Sequence, residues 1–209
     1  MKFYLSSYKL GDKPEQFATL FSGNKKVGYI PNALDYPIVD FERKAKHIEK
    51  DMNSLREIGL NPSLLDLRDF FGNRKSLEFE ICKLGGVFVS GGSVFILRQA
   101  MRLSGFDIIL VQGKNLGNFV YGGYSAGVCV LSPTLEGYSI VDPPTKFPYE
   151  QQKETIWEGI GLISYAFLPH YESNHPQSEN IQKEAVYCSA NNIPYRVLRD
   201  GDVIIINEN

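Results

Sequence analysis

The stretch Asn118-Phe119-Val120-Tyr121-Gly122-Gly123-Tyr124-Ser125-Ala126-Gly127 runs from an apolar segment into a glycine-rich turn around one serine. Residues 118–122 predict a strand, and the apolar residues 128–131 after the turn predict the start of a helix. Residues 123–127 match G-x-S-x-G, in which a serine stands on a sharp, strained turn between strand and helix. Small neighbours are needed there because larger side chains would clash. The pattern favours Ser125 as a nucleophile, and an incidental serine in a glycine-rich turn is the alternative.

Strand and helix patterns alternate on both sides of this turn. One helical pattern begins after Asp40, a candidate cap. Two further helical patterns cover residues 93–103 and 178–191. Residues 105–116 look β-like, but their position between two strands favours a crossover helix. Six strands are predicted before the C-terminal segment, over residues 2–6, 25–30, 62–67, 86–90, 118–122 and 162–168.

The alternation predicts an α/β fold, a three-layer sandwich with a mostly parallel central sheet covered on both faces. The last two predicted strands, 195–198 and 203–206, are joined through Asp200-Gly201 and predict a C-terminal β-hairpin. No linker or repeat divides the chain, so residues 1–209 are interpreted as one domain.

Composition narrows the function class. The 209 residues include 22 basic and 24 acidic side chains, so the net charge is only −2, which gives no field to attract nucleic acid or an anionic membrane. No run approaches the roughly 20 apolar residues that cross a bilayer. Three cysteines without a CxxC pair are typical of reduced thiols. The sequence therefore predicts a cytoplasmic protein.

A serine hydroxyl needs a base, and the chain has three histidines. His170 ends an apolar strand, so it is expected at the same sheet edge as Ser125. His47 lies on the polar side of a helical pattern and is expected to be a solvated surface residue. His175 precedes a proline in a polar loop, as a surface residue or a substrate contact. His170 is therefore the predicted base.

An acid must orient the imidazole, and the sequence leaves several candidates between Ser125 and His170. Glu136 and Asp142 are closest to the turn, followed by Glu150, Glu154 and Glu158. An oxyanion hole needs two N–H donors. Ala126 is expected to supply one, and Gly92, at the end of the neighbouring strand, the other.

Phosphate-loop and dinucleotide motifs are absent from the sequence, and His170-x4-His175 is not a zinc motif because Pro176 interrupts it. We therefore expect neither a metal nor another cofactor.

Four motifs together resemble the peptidase E family, the group of serine aspartyl dipeptidases and cyanophycinases. They are 89–95, 123–127 followed by 132–134, 140–143, and 168–171. The resemblance implies a fold like class I glutamine amidotransferases and a metal-free dipeptidase acting on small peptides.

The resemblance also implies an acid in the segment between Pro133-Thr134 and the motif 140–143, where Glu136 is the only carboxylate. Glu136 is therefore the expected third member of a Ser-His-Glu triad, with Asp142 in reserve. Tyr124, Tyr171 and His175 are expected substrate contacts.

The sequence says less about substrate specificity and oligomeric state. The resemblance implies that aspartyl specificity depends on an arginine in the stretch after the catalytic histidine. Here that stretch, residues 174–180, contains no Arg or Lys to pair with an acidic side chain, so strict aspartyl specificity is not expected. A homodimer stays an open alternative. So do an esterase and a non-catalytic binding protein on the same scaffold.

Overall fold

The structure is a computed structural model that describes residues 1–36, 40–113 and 116–207. Within these residues the strands are β1 (Lys2–Ser6), β2 (Lys26–Ile30), β3 (Asn61–Leu64), β4 (Gly86–Val89), β5 (Val120–Tyr124), β6 (Ala166–Leu168), β7 (Tyr195–Val197) and β8 (Val203–Ile206). The α-helices are α1 (Pro14–Thr19), α2 (Phe41–Glu57), α3 (Arg74–Ile81), α4 (Val94–Ser104), α5 (Phe106–Gln112), α6 (Ala126–Cys129) and α7 (Ser178–Ala190). Short 3-10 helices cover Asn32–Leu34, Leu67–Phe70 and Gly137–Ile140.

Six strands form the central sheet in the order β3-β2-β4-β5-β1-β8. All neighbouring pairs are parallel except β1 with β8, which is antiparallel. The predicted α/β class with a mostly parallel sheet is confirmed. The sheet takes strands from both ends of the chain, so the N-terminal strand β1 lies between β5 and β8.

The predicted C-terminal hairpin is wrong. Strand β7 pairs in parallel with β6 in a separate two-stranded sheet, whereas β8 joins the central sheet beside β1. The turn around Asp200-Gly201 does form, with Asp202 N–H donating to the Arg199 carbonyl. Strands β7 and β8, on either side of this turn, do not pair with each other, because each pairs with a strand that lies farther away in the sequence. The turn is thereby held where the two sheets meet.

Both faces of the central sheet are buried, as alternating side chains show. In β1, Tyr4 packs with the cluster that includes Phe17 of α1 and Leu55 of α2, and Leu5 packs with the cluster on the opposite face. That second cluster takes residues from α3, α4, α5, α6 and α7. This burial explains the near-continuous apolar strands of the sequence.

The ambiguous segment 105–116 contains helix α5, which follows α4 after Gly105. Gly105 has a φ of +75°, a left-handed conformation that ends one helix and begins the next. The expectation of a crossover helix is thus confirmed for the described residues, and Lys114 and Asn115 lie outside them. No helix in the described ranges combines the length and apolar character that crossing a lipid bilayer would take.

The turn from β5 into α6 depends on a close approach at Gly127. A Cβ atom added there would lie 2.4 Å from the Val89 carbonyl oxygen and 3.1 Å from that of Ser90. The Tyr121 hydroxyl donates to the Gly127 carbonyl at 2.6 Å from beneath the turn. Small residues are therefore needed here because α6 packs directly on the backbone at the end of β4.

We expect Gly127→Ala to lower the free energy of unfolding by about 1–3 kcal/mol, because the clash is with backbone that cannot move aside. Gly137→Ala is the control: its added methyl would meet only the side chains of Tyr187 and Glu184, at 3.3–3.5 Å. Urea unfolding of both variants measures the difference. Equal stability of the two variants would contradict the packing argument.

Candidate active site

Ser125 stands between β5 and α6 in a strained backbone conformation. Its φ is 48° and its ψ is −120°, a region that non-glycine residues rarely occupy. Its N–H donates to the Ser6 carbonyl at 3.2 Å, and its own carbonyl accepts from Val128 and Cys129. These bonds hold the serine in its strained conformation, and its side chain is partly exposed.

His170 lies against Ser125. It follows β6 by two residues, has a φ of 60°, and is 2% exposed. The distance from His170 Nε2 to Ser125 Oγ is 3.1 Å, within reach for proton transfer. The structure therefore brings together the two residues that the sequence analysis predicted as nucleophile and base.

The acid beside His170 is Asp200. Its Oδ1 lies 2.6 Å from His170 Nδ1, on the side of the ring opposite Ser125. A carboxylate there favours the tautomer with the proton on Nδ1 and leaves Nε2 free to accept the serine proton. Burial lowers the pKa of His170, the bond from Asp200 opposes that effect, and nearby His175 adds to it.

The expectation that Glu136 or Asp142 orients His170 is corrected by these contacts. Glu136 is exposed and accepts a hydrogen bond from the Tyr187 hydroxyl at 3.4 Å. Asp142 is buried and accepts from the Val94 N–H at 2.8 Å, at the start of α4. Both residues precede His170 in the chain, whereas Asp200 follows it by 30 positions. A search confined to the segment between serine and histidine could not find it.

Ser7 is a second residue that sequence reasoning missed. Its hydroxyl accepts from the His170 N–H at 2.9 Å and lies 3.2 Å from Asp200 Oδ1, to which it donates. Ser7 is completely buried directly after β1. One hydroxyl therefore links the backbone of His170 to the carboxylate on its ring. The only sequence signal was a pair of polar residues, Ser6 and Ser7, at the end of an apolar strand.

Aromatic rings cover the outer side of His170. The His175 ring stacks on it with centroids 3.6 Å apart and planes 7° from parallel. Tyr8 meets both imidazoles, with centroids 5.8 Å from His170 and 5.9 Å from His175. Burial lowers the pKa of His175 too. His175, predicted as a surface residue or substrate contact, thus packs directly on the base.

The other two expected substrate contacts lie elsewhere. Tyr124 points to the opposite face of the sheet, is 2% exposed, and donates its hydroxyl to Asp51 at 2.7 Å. Tyr171 donates its N–H to the Leu198 carbonyl and packs against the larger core cluster. These are structural contacts, and neither residue lines the pocket that Ser125 borders.

His47, predicted as solvated, also takes part in the polar cluster around Asp51. Lys9 Nζ lies 2.6 Å from Asp51 Oδ1 and 2.9 Å from His47 Nε2, and His47 Nε2 lies 2.7 Å from the Tyr124 hydroxyl. Burial opposes ionisation of Asp51, but the bonds from His47 and Lys9 outweigh it and lower its pKa to about 2. Tyr8 lies between this cluster and the site, with its ring centroid 6.2 Å from that of Tyr124 and 5.8 Å from that of His170.

A small pocket borders Ser125, and Gly92 and Ala126 line it with the nucleophile. The N–H groups of these two residues donate to no backbone oxygen within the described ranges. Gly92 has a φ of +144°, and a Cβ there would lie 2.3 Å from the Ala33 carbonyl oxygen, so only glycine fits. The arrangement offers two free donors beside the serine.

The comparisons with known proteins agree on one family. The model of peptidase family S51 matches residues 6–209. An uncharacterized peptidase of Listeria monocytogenes is 27% identical over 159 residues, which cover 76% of this chain and 71% of the relative. An uncharacterized peptidase of Pasteurella multocida is 23% identical over 184 residues, which cover 88% and 82%.

Solved structures agree on the fold. A Listeria monocytogenes protein provisionally classed as a peptidase E superimposes with a TM-score of 0.73 at 23% identity, over 100% of this chain and 98% of the other. A peptidase from an actinobacterium has a TM-score of 0.57 at 19% identity, over 88% and 74%. Since the family model spans nearly the whole chain, this protein belongs to peptidase family S51 and is a serine-type peptidase.

Proposed function

We propose that this protein is a metal-free dipeptidase that hydrolyses short peptides through Ser125, His170 and Asp200. The observation that carries the proposal is the continuous line of contacts from Ser125 Oγ to His170 Nε2 and from His170 Nδ1 to Asp200. A serine hydroxyl becomes an effective nucleophile when an oriented base accepts its proton. Asp200 replaces Glu136 as the third member of the proposed triad.

The reaction begins when Ser125 Oγ attacks the scissile carbonyl carbon and its proton passes to His170 Nε2. Asp200 stabilises the imidazolium that results and keeps the ring oriented. His170 then gives the proton to the leaving amine, which departs as the acyl-enzyme forms. A water molecule, deprotonated by the same histidine, hydrolyses the ester and restores the serine.

The negative oxygen of each tetrahedral intermediate accepts hydrogen bonds from the Gly92 and Ala126 N–H groups. Support for this role comes from their place in the pocket that Ser125 borders and from their lack of backbone acceptors among the described residues. Such preorganised donors stabilise charge that develops only in the transition state.

Exopeptidase action on short substrates agrees with the small size of that pocket. Dipeptidase activity also agrees with the motifs shared with the peptidase E family.

Ser125→Ala is the direct test of the nucleophile. We expect kcat for dipeptides to fall by about 10³-fold or more, because the covalent route is lost. A fluorophosphonate probe should label the wild-type protein at Ser125 and leave the variant unlabelled. Ser76→Ala, at an exposed serine of helix α3, is the control and should keep full activity. Undiminished dipeptide cleavage by Ser125→Ala would refute the mechanism, and faster hydrolysis of p-nitrophenyl esters than of any dipeptide would favour an esterase.

Asp200→Asn and Glu136→Gln separate the two candidate acids. The first change replaces the carboxylate on His170 Nδ1 and favours the wrong tautomer, so kcat should fall by about 10²–10⁴-fold. The second alters an exposed residue whose carboxylate is hydrogen-bonded only to Tyr187 within the described ranges, so kcat should stay near the wild-type value. Steady-state kinetics of both variants on one dipeptide measures the contrast. The opposite ranking would restore Glu136 as the orienting acid.

The pH dependence of fluorophosphonate labelling should report His170 directly. Labelling requires the neutral imidazole, so its rate should be highest at neutral pH and fall as pH drops through the pKa of His170. Because burial lowers that pKa, the midpoint should lie below the ordinary value of about 6.5. In Asp200→Asn the midpoint should move still lower, since the bond from Asp200 raises the pKa. A midpoint above the ordinary value would contradict the assigned geometry.

A further inference from the structure

The pocket beside Ser125 is lined by two buried carboxyl groups, those of Asp142 and Glu184. Gly92 and Ala126, the proposed oxyanion donors, line it as well. A group held in this pocket therefore belongs to the substrate residue whose carbonyl Ser125 attacks, which is the P1 residue. Neither carboxyl group has a part in the mechanism described above.

Glu184 is the unusual member of this pair. It lies on α7, is 0% exposed, and neither of its carboxyl oxygens has a hydrogen-bond partner within the described ranges. A buried polar group without a partner costs free energy, so nearly all such groups in proteins are paired. Burial raises the pKa of Glu184 well above its usual range, and nearby Asp142 raises it further.

Asp142 places a second carboxyl group in the same space. One of its oxygens accepts from the Val94 N–H at 2.8 Å, which fixes the carboxyl group at the pocket wall. Burial raises its pKa to about 6, although the bond from Val94 lowers it. In the described residues, no lysine or arginine lines the pocket to balance these two groups. A cation that balances the charged forms of these two groups would therefore come from a ligand.

We propose that Glu184 and Asp142 form a subsite for a cationic nitrogen on the P1 residue of the substrate. This inference rests on the proposed function, because it assigns the side of the nucleophile on which P1 binds. An alkylammonium group has three N–H donors and suits the vacant acceptors of Glu184. The same pocket repels an aspartyl side chain.

Two parts of a peptide can supply such a nitrogen. One is the free α-amino group of an N-terminal P1 residue, and the other is the side chain of a P1 lysine. The shared chemistry is an alkylammonium ion two or more bonds from the scissile carbonyl. Matched substrates distinguish the sources.

The experiment compares p-nitroanilides of lysine, norleucine and aspartate, each with a free and with an acetylated α-amino group. Norleucine has nearly the length of lysine without its charge. A preference for free over acetylated norleucine indicates the α-amino group, and a preference for acetylated lysine over acetylated norleucine indicates the side chain. Aspartate should be the poorest P1 residue in either case.

Glu184→Gln should reduce whichever preference the wild-type protein shows by about 10- to 100-fold in kcat/KM, the effect of losing one charged hydrogen bond. Glu179→Gln, an exposed position on the same helix that pairs with Lys183, is the matched control and should leave the preference unchanged. Asp142→Asn is the second variant, should Glu184→Gln fail to fold. An unchanged preference in a folded Glu184→Gln or Asp142→Asn variant would overturn the subsite, as would fastest cleavage of the aspartate substrates.

Failure of the subsite and failure of the proposed function give different results. Fluorophosphonate labelling of Ser125 needs no cationic group, so it should persist in Glu184→Gln. If wild-type protein neither labels nor cleaves, the proposed function fails. The subsite can then still be tested by calorimetric titration of the Ser125→Ala variant. The ligands are three cationic amides, lysinamide, acetyl-lysinamide and norleucinamide, and the uncharged control is acetyl-norleucinamide. Binding of a cationic amide that weakens at least tenfold in Ser125→Ala/Glu184→Gln supports it, and equal binding or no binding refutes it.

Discussion

The buried hydroxyl of Ser7 is the contact on which the geometry of the site depends. It accepts from the His170 backbone at 2.9 Å and donates to Asp200 at 3.2 Å, while the preceding Ser6 carbonyl accepts from Ser125 at 3.2 Å. Three segments that are distant in sequence therefore meet at the carboxyl end of β1. Parallel α/β sheets place their sites at this edge because the loops after neighbouring strands converge there.

The register of β1 sets the spacing between these segments. Ser6 is paired with Tyr124 on one side and with Val203 on the other. Ser125 follows the first of these partners directly, and Asp200 precedes the second by three residues. A shift of β1 by one residue would turn Ser7 to the other face of the sheet. The antiparallel edge strand β8 therefore does more than extend the sheet, since it delivers the acid to the imidazole.

The nucleophile and its histidine could be predicted from local pattern, whereas the acid could not. The strand before Gly123 and the helix after Ser125 are determined by neighbouring residues, so the turn between them can be predicted from the sequence. Asp200 depends on β8 pairing with β1, a contact between the two ends of the chain. Two strand-like segments around Asp200-Gly201 favour a hairpin on local evidence. That interpretation is wrong because the first segment pairs with β6 and the second with β1. Tyr124 and His47 were misjudged for a related reason, because their polar atoms have partners in distant segments. Tyr124 contacts Lys9 and Asp51, and His47 contacts Lys9 and Tyr124.

The three carboxyl groups near Ser125 differ in what surrounds them, and that difference separates their roles. The Asp200 carboxylate receives an N–H donor from His170 and an O–H donor from Ser7, so its charge is compensated within the protein. Glu184 receives none among the described residues, and Asp142 receives one. Because an isolated buried charge is far more costly than a paired one, burial raises the pKa of both Glu184 and Asp142, and a bound cation would favour their charged forms. The site therefore has a compensated acid on the histidine side of the nucleophile and an uncompensated pair on the P1 side, which is the charge distribution that a cationic substrate would complete.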